Sequence, residues 1–139
     1  LSATASTLFE DLIAAWGSHD VERVVALFTD DCIYEDVTYG VVNHGTAELR
    51  EFAAGTFAAF PDFHLERSSG FIAGDWAAWE WTMSGTHQGD MPDMPATGKR
   101  FAIRGVSILE LRDGKIKRNS DYWDLTAMLK QLGFMPESP

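Results

Sequence analysis

The dipeptide Asp113-Gly114 constrains this chain more than any other local feature. Asp-Gly between two alternating runs rich in β-branched and aromatic residues signals a tight hairpin, because its central positions need backbone angles that these two residues tolerate. The flanking runs 106–111 and 115–123 then pair antiparallel. The second arm ends in Asn119-Ser120-Asp121-Tyr122-Trp123-Asp124, two carboxylates set among aromatic rings. Alternation puts Asn119, Asp121 and Trp123 on one face and Arg118, Ser120, Tyr122 and Asp124 on the other. Apolar surroundings push a carboxylate toward its neutral form and make it a usable general acid or base near neutral pH. Asp121 has no local structural employment and reads as a pocket acid or, failing that, a solvent-facing strand residue. Asp124 precedes Leu125, Met128, Leu129 and Leu132, a helical i, i+3, i+4, i+7 pattern, so it suits a helix N-cap as well as a pocket.

Upstream, the order of elements sets the fold class. Leu8, Leu12, Ala15 and Trp16 follow helical spacing behind the candidate caps Ser2, Thr4 and Ser6. Asp20 caps a short second helix carrying Val21, Val24, Val25 and Phe28, and residues 32–37 read as a strand. A third helix opens at Gly45-Thr46, carries Leu49, Phe52, Ala53, Phe57 and Phe60, and stops at Pro61. Strands follow over 63–68, 76–86, 100–111 and 115–123. Helices first and strands later predict an α+β fold with helices packed on one face of a curved antiparallel sheet. Residues 88–99, with two prolines and two glycines between long strands, form a loop placed to act as a lid.

With 139 residues the chain suits one domain over 1–139. A formal net charge of −10 and the lack of any sizeable basic cluster argue against a nucleic-acid partner. Cys32 is the sole cysteine, so no internal disulfide or cysteine-rich metal site exists, and the four histidines lack metal-ligand spacing. Neither a leader pattern nor an apolar run near the ~20 residues of a membrane span occurs, so the expectation is a cytoplasmic protein without a membrane partner.

Trp79, Trp81 and Met83 alternate along one strand face, and Phe71 and Trp76 lie just before; together they would wall a cavity for a flat hydrophobic substrate or simply pack as core. Trp123 and Asn119 join that wall from the face of Asp121. His87 shares the parity of Trp79 and offers a proton relay or a donor to an enolate, with a surface position as the alternative. Tyr34 and Asp36 share a strand face and reach the pocket from the opposite wall or end exposed. A carboxylate facing Asp121 would push one of the two toward its acid form and supply an acid and a base together.

Gly85-Thr86-His87-Gln88-Gly89, then Pro95-Ala96-Thr97-Gly98-Lys99-Arg100, Asp113-Gly114-Lys115-Ile116 and Asp124 ahead of Lys130-Gln131-Leu132-Gly133 closely resemble, in order and spacing, the SnoaL-like polyketide cyclase family. The resemblance implies the NTF2-like fold: a cone of bent sheet closed by three N-terminal helices, with a short C-terminal helix, a deep apolar pocket and commonly a homodimer. It also implies intramolecular aldol cyclisation by an acid–base aspartate, here matching Asp124, without metal or organic cofactor. A partial resemblance to limonene-epoxide hydrolases, through Asp121-Tyr122-Trp123-Asp124-Leu125 and through Tyr34 and Asp36, nominates Asp121 instead. That hydrolase chemistry requires an arginine and a second aspartate where this chain has Trp81 and Met83, and so is disfavoured. The expected function is acid–base catalysis on a hydrophobic carbonyl compound by cyclisation, isomerisation or dehydration; the alternatives are an epoxide hydrolase and a non-catalytic hydrophobic-ligand binder. Fold alone does not choose among them.

Overall fold

The computed structural model describes residues 7–136, so the candidate caps Ser2, Thr4 and Ser6 lie outside the described residues. Helix α1 (Leu8–Gly17) buries Leu8, Phe9, Leu12, Ala15 and Trp16 along one stripe. The side chain of Asp20 accepts the Glu22 N–H and starts α2 (Val21–Val25). Strand β1 (Phe28–Asp36) turns through Gly40, at φ 72°, into β2 (Val41–His44), and α3 (Gly45–Ala59) follows. Strands β3 (His64–Ala73), β4 (Trp76–Thr86), β5 (Arg100–Arg112) and β6 (Lys115–Trp123) build the rest of the sheet. Helix α4 (Leu125–Leu132) ends the fold at Gly133, whose φ of 89° is a left-handed stop that glycine adopts without strain.

The six strands run in the order β2-β1-β6-β5-β4-β3 in one curved sheet that does not close on itself. Helix α1 packs against β3, α3 against β1 and β2, and α4 against β5. The α+β architecture with three leading helices and one short final helix is as expected. One pairing differs from the antiparallel expectation: β1 and β6 run parallel, with Tyr34 opposite Asn119 and Asp36 opposite Asp121. Two neighbouring strands far apart in sequence need no hairpin, so their direction is set by where α3 and the later strands return the chain.

Three local readings also change. Phe28 belongs to β1 rather than to the second helix, because α2 stops at Val25 and Phe28 pairs opposite Ile116. Strand β2 was not anticipated; four residues framed by turn formers carry too little alternation to register. Strand β3 continues past 68 to Ala73 through a bulge between Arg67 and Ser69.

Bulges decide which side chains face the helices. On β6 the register slips between Ile116 and Arg118, which oppose Leu111 and Glu110. Ile116 and Asp121 are therefore both buried although they lie five positions apart, which strict alternation would put on opposite faces. The slip also sets Ser107, not Val106, opposite Asp121. Two glycines make room on the same face: a β-carbon at Gly105 would sit 2.3 Å from the Trp81 ring, and one at Gly70 would sit 2.8 Å from Phe9. Without them Trp81 could not lie across β5, nor Phe9 stack on Trp79 at 5.4 Å between ring centroids.

Candidate active site

The concave face of the sheet and the helices enclose a cavity of about 520 Å³. Its aromatic wall comes from Trp16 on α1, Phe52 on α3, Trp79 and Trp81 on β4, and Trp123 on β6. Its polar groups are few, as small-molecule pockets require. One row of facing strand positions carries most of them: Trp79 opposes Ser107, Ser107 opposes Asp121, and Asp121 opposes Asp36. Residues directly opposite across a sheet share a face, so the register alone aims Ser107 and both carboxylates at one space.

Asp121 is 8% exposed and receives three donors. Ser107 Oγ gives its proton to Oδ1 at 2.6 Å, Asn119 Nδ2 donates to the same oxygen at 2.7 Å, and the Tyr34 hydroxyl donates to Oδ2. Ser107 is itself fixed, since Trp81 Nε1 donates to its oxygen at 2.8 Å and leaves its one proton for Asp121. Burial pushes the Asp121 carboxyl above its usual range, while the hydrogen bonds from Ser107, Tyr34 and Asn119 pull the other way and only partly offset it. Tyr34 is driven well above the ordinary phenol value, first by burial and then by the charge of Asp121.

Asp36 is 5% exposed and held differently. The Tyr39 N–H donates to its Oδ1 at 3.0 Å, and the Trp123 indole N–H is shared between both oxygens at 3.1 and 3.2 Å. Burial raises it to about 6, helped by the charge of Asp121 and opposed by those donors. No Lys, Arg or His lines the cavity among the described residues, whereas Asp36, Glu51, Asp90 and Asp121 do. The site thus holds acid groups without a cation to neutralise them. Nor, among the described residues, do three or more His, Cys, Asp or Glu cluster in a way that would hold a metal ion.

Of the residues singled out from sequence, Tyr34, Asp36, Trp79, Trp81, Met83, Asn119, Asp121 and Trp123 all line this cavity. Asp124 does not: its Oδ1 accepts the Ala127 N–H at 2.9 Å and caps α4, the structural half of its sequence reading. His87 also lies off the cavity. Its backbone is tied to Lys99 and Gly98, and its ring is fully buried between Phe60 and Phe134 with Thr97 Oγ1 3.3 Å from Nδ1. Beyond the end of β4 the chain turns back along β5, carrying that imidazole away from Asp121 and with it the expected relay role. Phe71 and Trp76 point to the opposite face, 64% and 47% exposed, and so wall nothing. The 88–99 loop does reach the site, through Asp90, Met91, Pro92 and Met94. It is pinned at its start by Gln88 and Gly89 N–H bonds to the Ala59 carbonyl, and Met91 and Met94 bond each other across a tight turn. Ser107 was missed by sequence reasoning; so were Tyr39 and the loop methionines Met91 and Met94. Only the bulge on β6 would have flagged Ser107, and a bulge leaves no clear mark in the residue pattern.

An α+β fold with a curved sheet and an apolar cavity lined by buried carboxylates is an NTF2-like architecture, the fold also called ketosteroid isomerase-like. A protein of ketosteroid isomerase-like fold from Catenulispora acidiphila superposes with a TM-score of 0.82 at 25% identity, covering 95% of this chain and 97% of its own. The SnoaL-like polyketide cyclase family matches residues 6–132, and the chain belongs to that family. It is similar to aklanonic acid methyl ester cyclase DauD of Streptomyces sp. (strain C5), 32% identical over 128 residues that cover 81% of this chain and 79% of the relative. Cyclase aurE of Calcarisporium arbuscula is 32% identical over 104 residues, 74% of each chain. The chain is accordingly an enzyme of the polyketide-cyclase type.

Proposed function

We propose that this enzyme closes a ring by intramolecular aldol chemistry on a flat, uncharged, polyketide-derived carbonyl compound, with Asp121 as the base and no group but side chains taking part. The observation that carries the reading is a buried carboxylate, held by three donors, at the floor of an aromatic cavity. Ionised Asp121 takes the proton from the carbon next to a carbonyl. Protonation of Oδ2 then frees the Tyr34 hydroxyl from its acceptor, and the hydroxyl turns to the developing enolate oxygen, where a positioned donor contributes most of the rate. An uncharged substrate follows from the lining: with four acids and no base facing the cavity, a free carboxylate would be desolvated without a partner. A methyl ester, the form named for the relative DauD, meets that requirement.

The test uses aklanonic acid methyl ester as probe in deuterated water. Wild-type enzyme is expected to introduce deuterium at the acidic carbon and to form the cyclised product. Asp121→Asn should lower turnover by ~10²- to 10⁴-fold with binding retained, because the amide keeps the shape and loses the base. Tight binding by the wild type with neither exchange nor product would instead identify a ligand carrier, and the reading would fall.

A further inference from the structure

Resting on that reading, we infer that Asp36 is a second catalytic residue, the acid that delivers a proton to the acceptor carbonyl oxygen while Asp121 serves only as the base. An aldol closure needs both operations. The C–H bond breaks and its proton goes to Asp121; the enolate carbon bonds to the second carbonyl carbon; that carbonyl's π pair moves to oxygen, and the oxygen takes a proton from a donor. Asp121 cannot be that donor in the same instant, since it holds its proton at the carbon being attacked from. Asp36 stands opposite it on the adjacent strand, on the same face and in the same cavity.

The two sites differ in what they support. Asp121 has three side-chain donors from Tyr34, Ser107 and Asn119, all of which favour the ionised form. Asp36 has the Tyr39 N–H at 3.0 Å, a weaker backbone interaction with Thr38, and one indole N–H divided between its oxygens at 3.1 and 3.2 Å. Two carboxylates sharing a cavity that lacks a cation cannot both be charged cheaply, so the single charge settles where the hydrogen bonds are shorter, 2.6 and 2.7 Å from Ser107 and Asn119 against 3.0 to 3.2 Å at Asp36. Below about pH 6 the resting pair is therefore Asp121 ionised and Asp36 protonated. Asp36 could be read as no more than a turn residue, because the Tyr39 N–H closes an Asx turn on its Oδ1. That role engages Oδ1 and does not require a buried carboxyl in the cavity. After closure Asp121 holds the proton and Asp36 has lost one, and exchange with water on product release restores the pair.

Exchange and closure separate the two roles. With aklanonic acid methyl ester in deuterated water, Asp36→Asn is expected to keep deuterium incorporation within about threefold of wild type and to lose ring closure by ~10²-fold or more. Asp121→Asn should lose both. The amide retains an oxygen acceptor for Tyr39 and Trp123, and circular dichroism checks the fold. Should that variant not fold, Trp123→Phe leaves the carboxyl and removes its indole donor. Asp36 then holds its proton to higher pH, and the alkaline limb of closure moves up; the other ionisable groups that face the cavity are Tyr34, Tyr39, Glu51, Asp90 and Asp121. Closure unchanged in Asp36→Asn, or an unmoved alkaline limb in Trp123→Phe, overturns the role of Asp36 and leaves Asp121 as base. Loss of exchange along with closure in Asp36→Asn also overturns it, because an acid for the second step does not govern the first. Absence of both in the wild type sinks the aldol reading itself and this assignment with it.

Discussion

Replacing Asp36 by Asn is expected to stabilise the folded protein at neutral pH. Burial is the main reason that Asp36 rises from 3.8 to about 6 on folding. The folded state thus binds this proton more tightly than the unfolded chain, so the contribution of Asp36 to stability is fully present below about pH 4 and is lost as pH rises through about 6. A shift of about two units at ~1.4 kcal/mol each sets a ceiling of ~3 kcal/mol on what the ionised carboxyl costs above neutrality. Asn carries no charge to desolvate and keeps an acceptor for the Tyr39 N–H and the Trp123 indole. Its amide hydrogens need new partners at a cost of ~1 kcal/mol, leaving a net gain of ~1–2 kcal/mol at pH 8. Asp121, also raised by burial, titrates in both proteins, so the difference reports Asp36 and its coupling to Asp121. Urea unfolding at pH 4 and pH 8 measures it. The variant should match or fall slightly below wild type at the lower pH and exceed it at the higher. A difference that does not change with pH, or a variant less stable at pH 8, would refute the argument that Asp36 is a desolvated carboxyl.

Two further outcomes are expected. Asp124→Ala should cost ~1 kcal/mol of stability through loss of the α4 cap and leave turnover within about twofold; a drop in turnover without a matching drop in stability would return Asp124 to the acid–base role. The convex face exposes Phe71, Trp76, Ile108 and Tyr122, an apolar surface of the kind that pairs identical chains. Light scattering should show a homodimer at micromolar concentration and a monomer for Ile108→Lys, while a monomeric wild type would leave this face without a second copy.

Much of the fold was legible because its signals are local. Asp113-Gly114, the helical stripes of α1 and α3, and the alternation of Trp79, Trp81 and Met83 each follow from a few neighbouring residues. The parity of β6 correctly grouped Asn119, Asp121 and Trp123. What escaped depends on contacts between distant segments. Counting back from the turn pairs Asp121 with Val106, and only the bulge on β6 replaces that residue with Ser107. The parallel run of β1 beside β6 links residues 85 positions apart, Tyr34 with Asn119 and Asp36 with Asp121, and no local pattern encodes it. His87 illustrates the converse. Its parity was right and it is buried, yet the strand had ended one residue earlier, so alternation no longer said which space its ring would enter.

The parallel pairing is also what gives the site two different acids. If β1 ran antiparallel to β6, its inward residues would meet the row of Asp121 in another order, and Tyr34 and Asp36 would exchange depth in the cavity. As built, Asn119 lies beside Tyr34 and Asp121 beside Asp36. The tyrosine, one inward step deeper, reaches diagonally to Asp121, and the Asp36 carboxyl is left to the Trp123 indole and the turn that follows β1. One carboxylate thereby receives short side-chain hydrogen bonds and its neighbour longer ones, and that inequality, set by strand direction rather than by residue type, separates a base from an acid within a single row of the sheet.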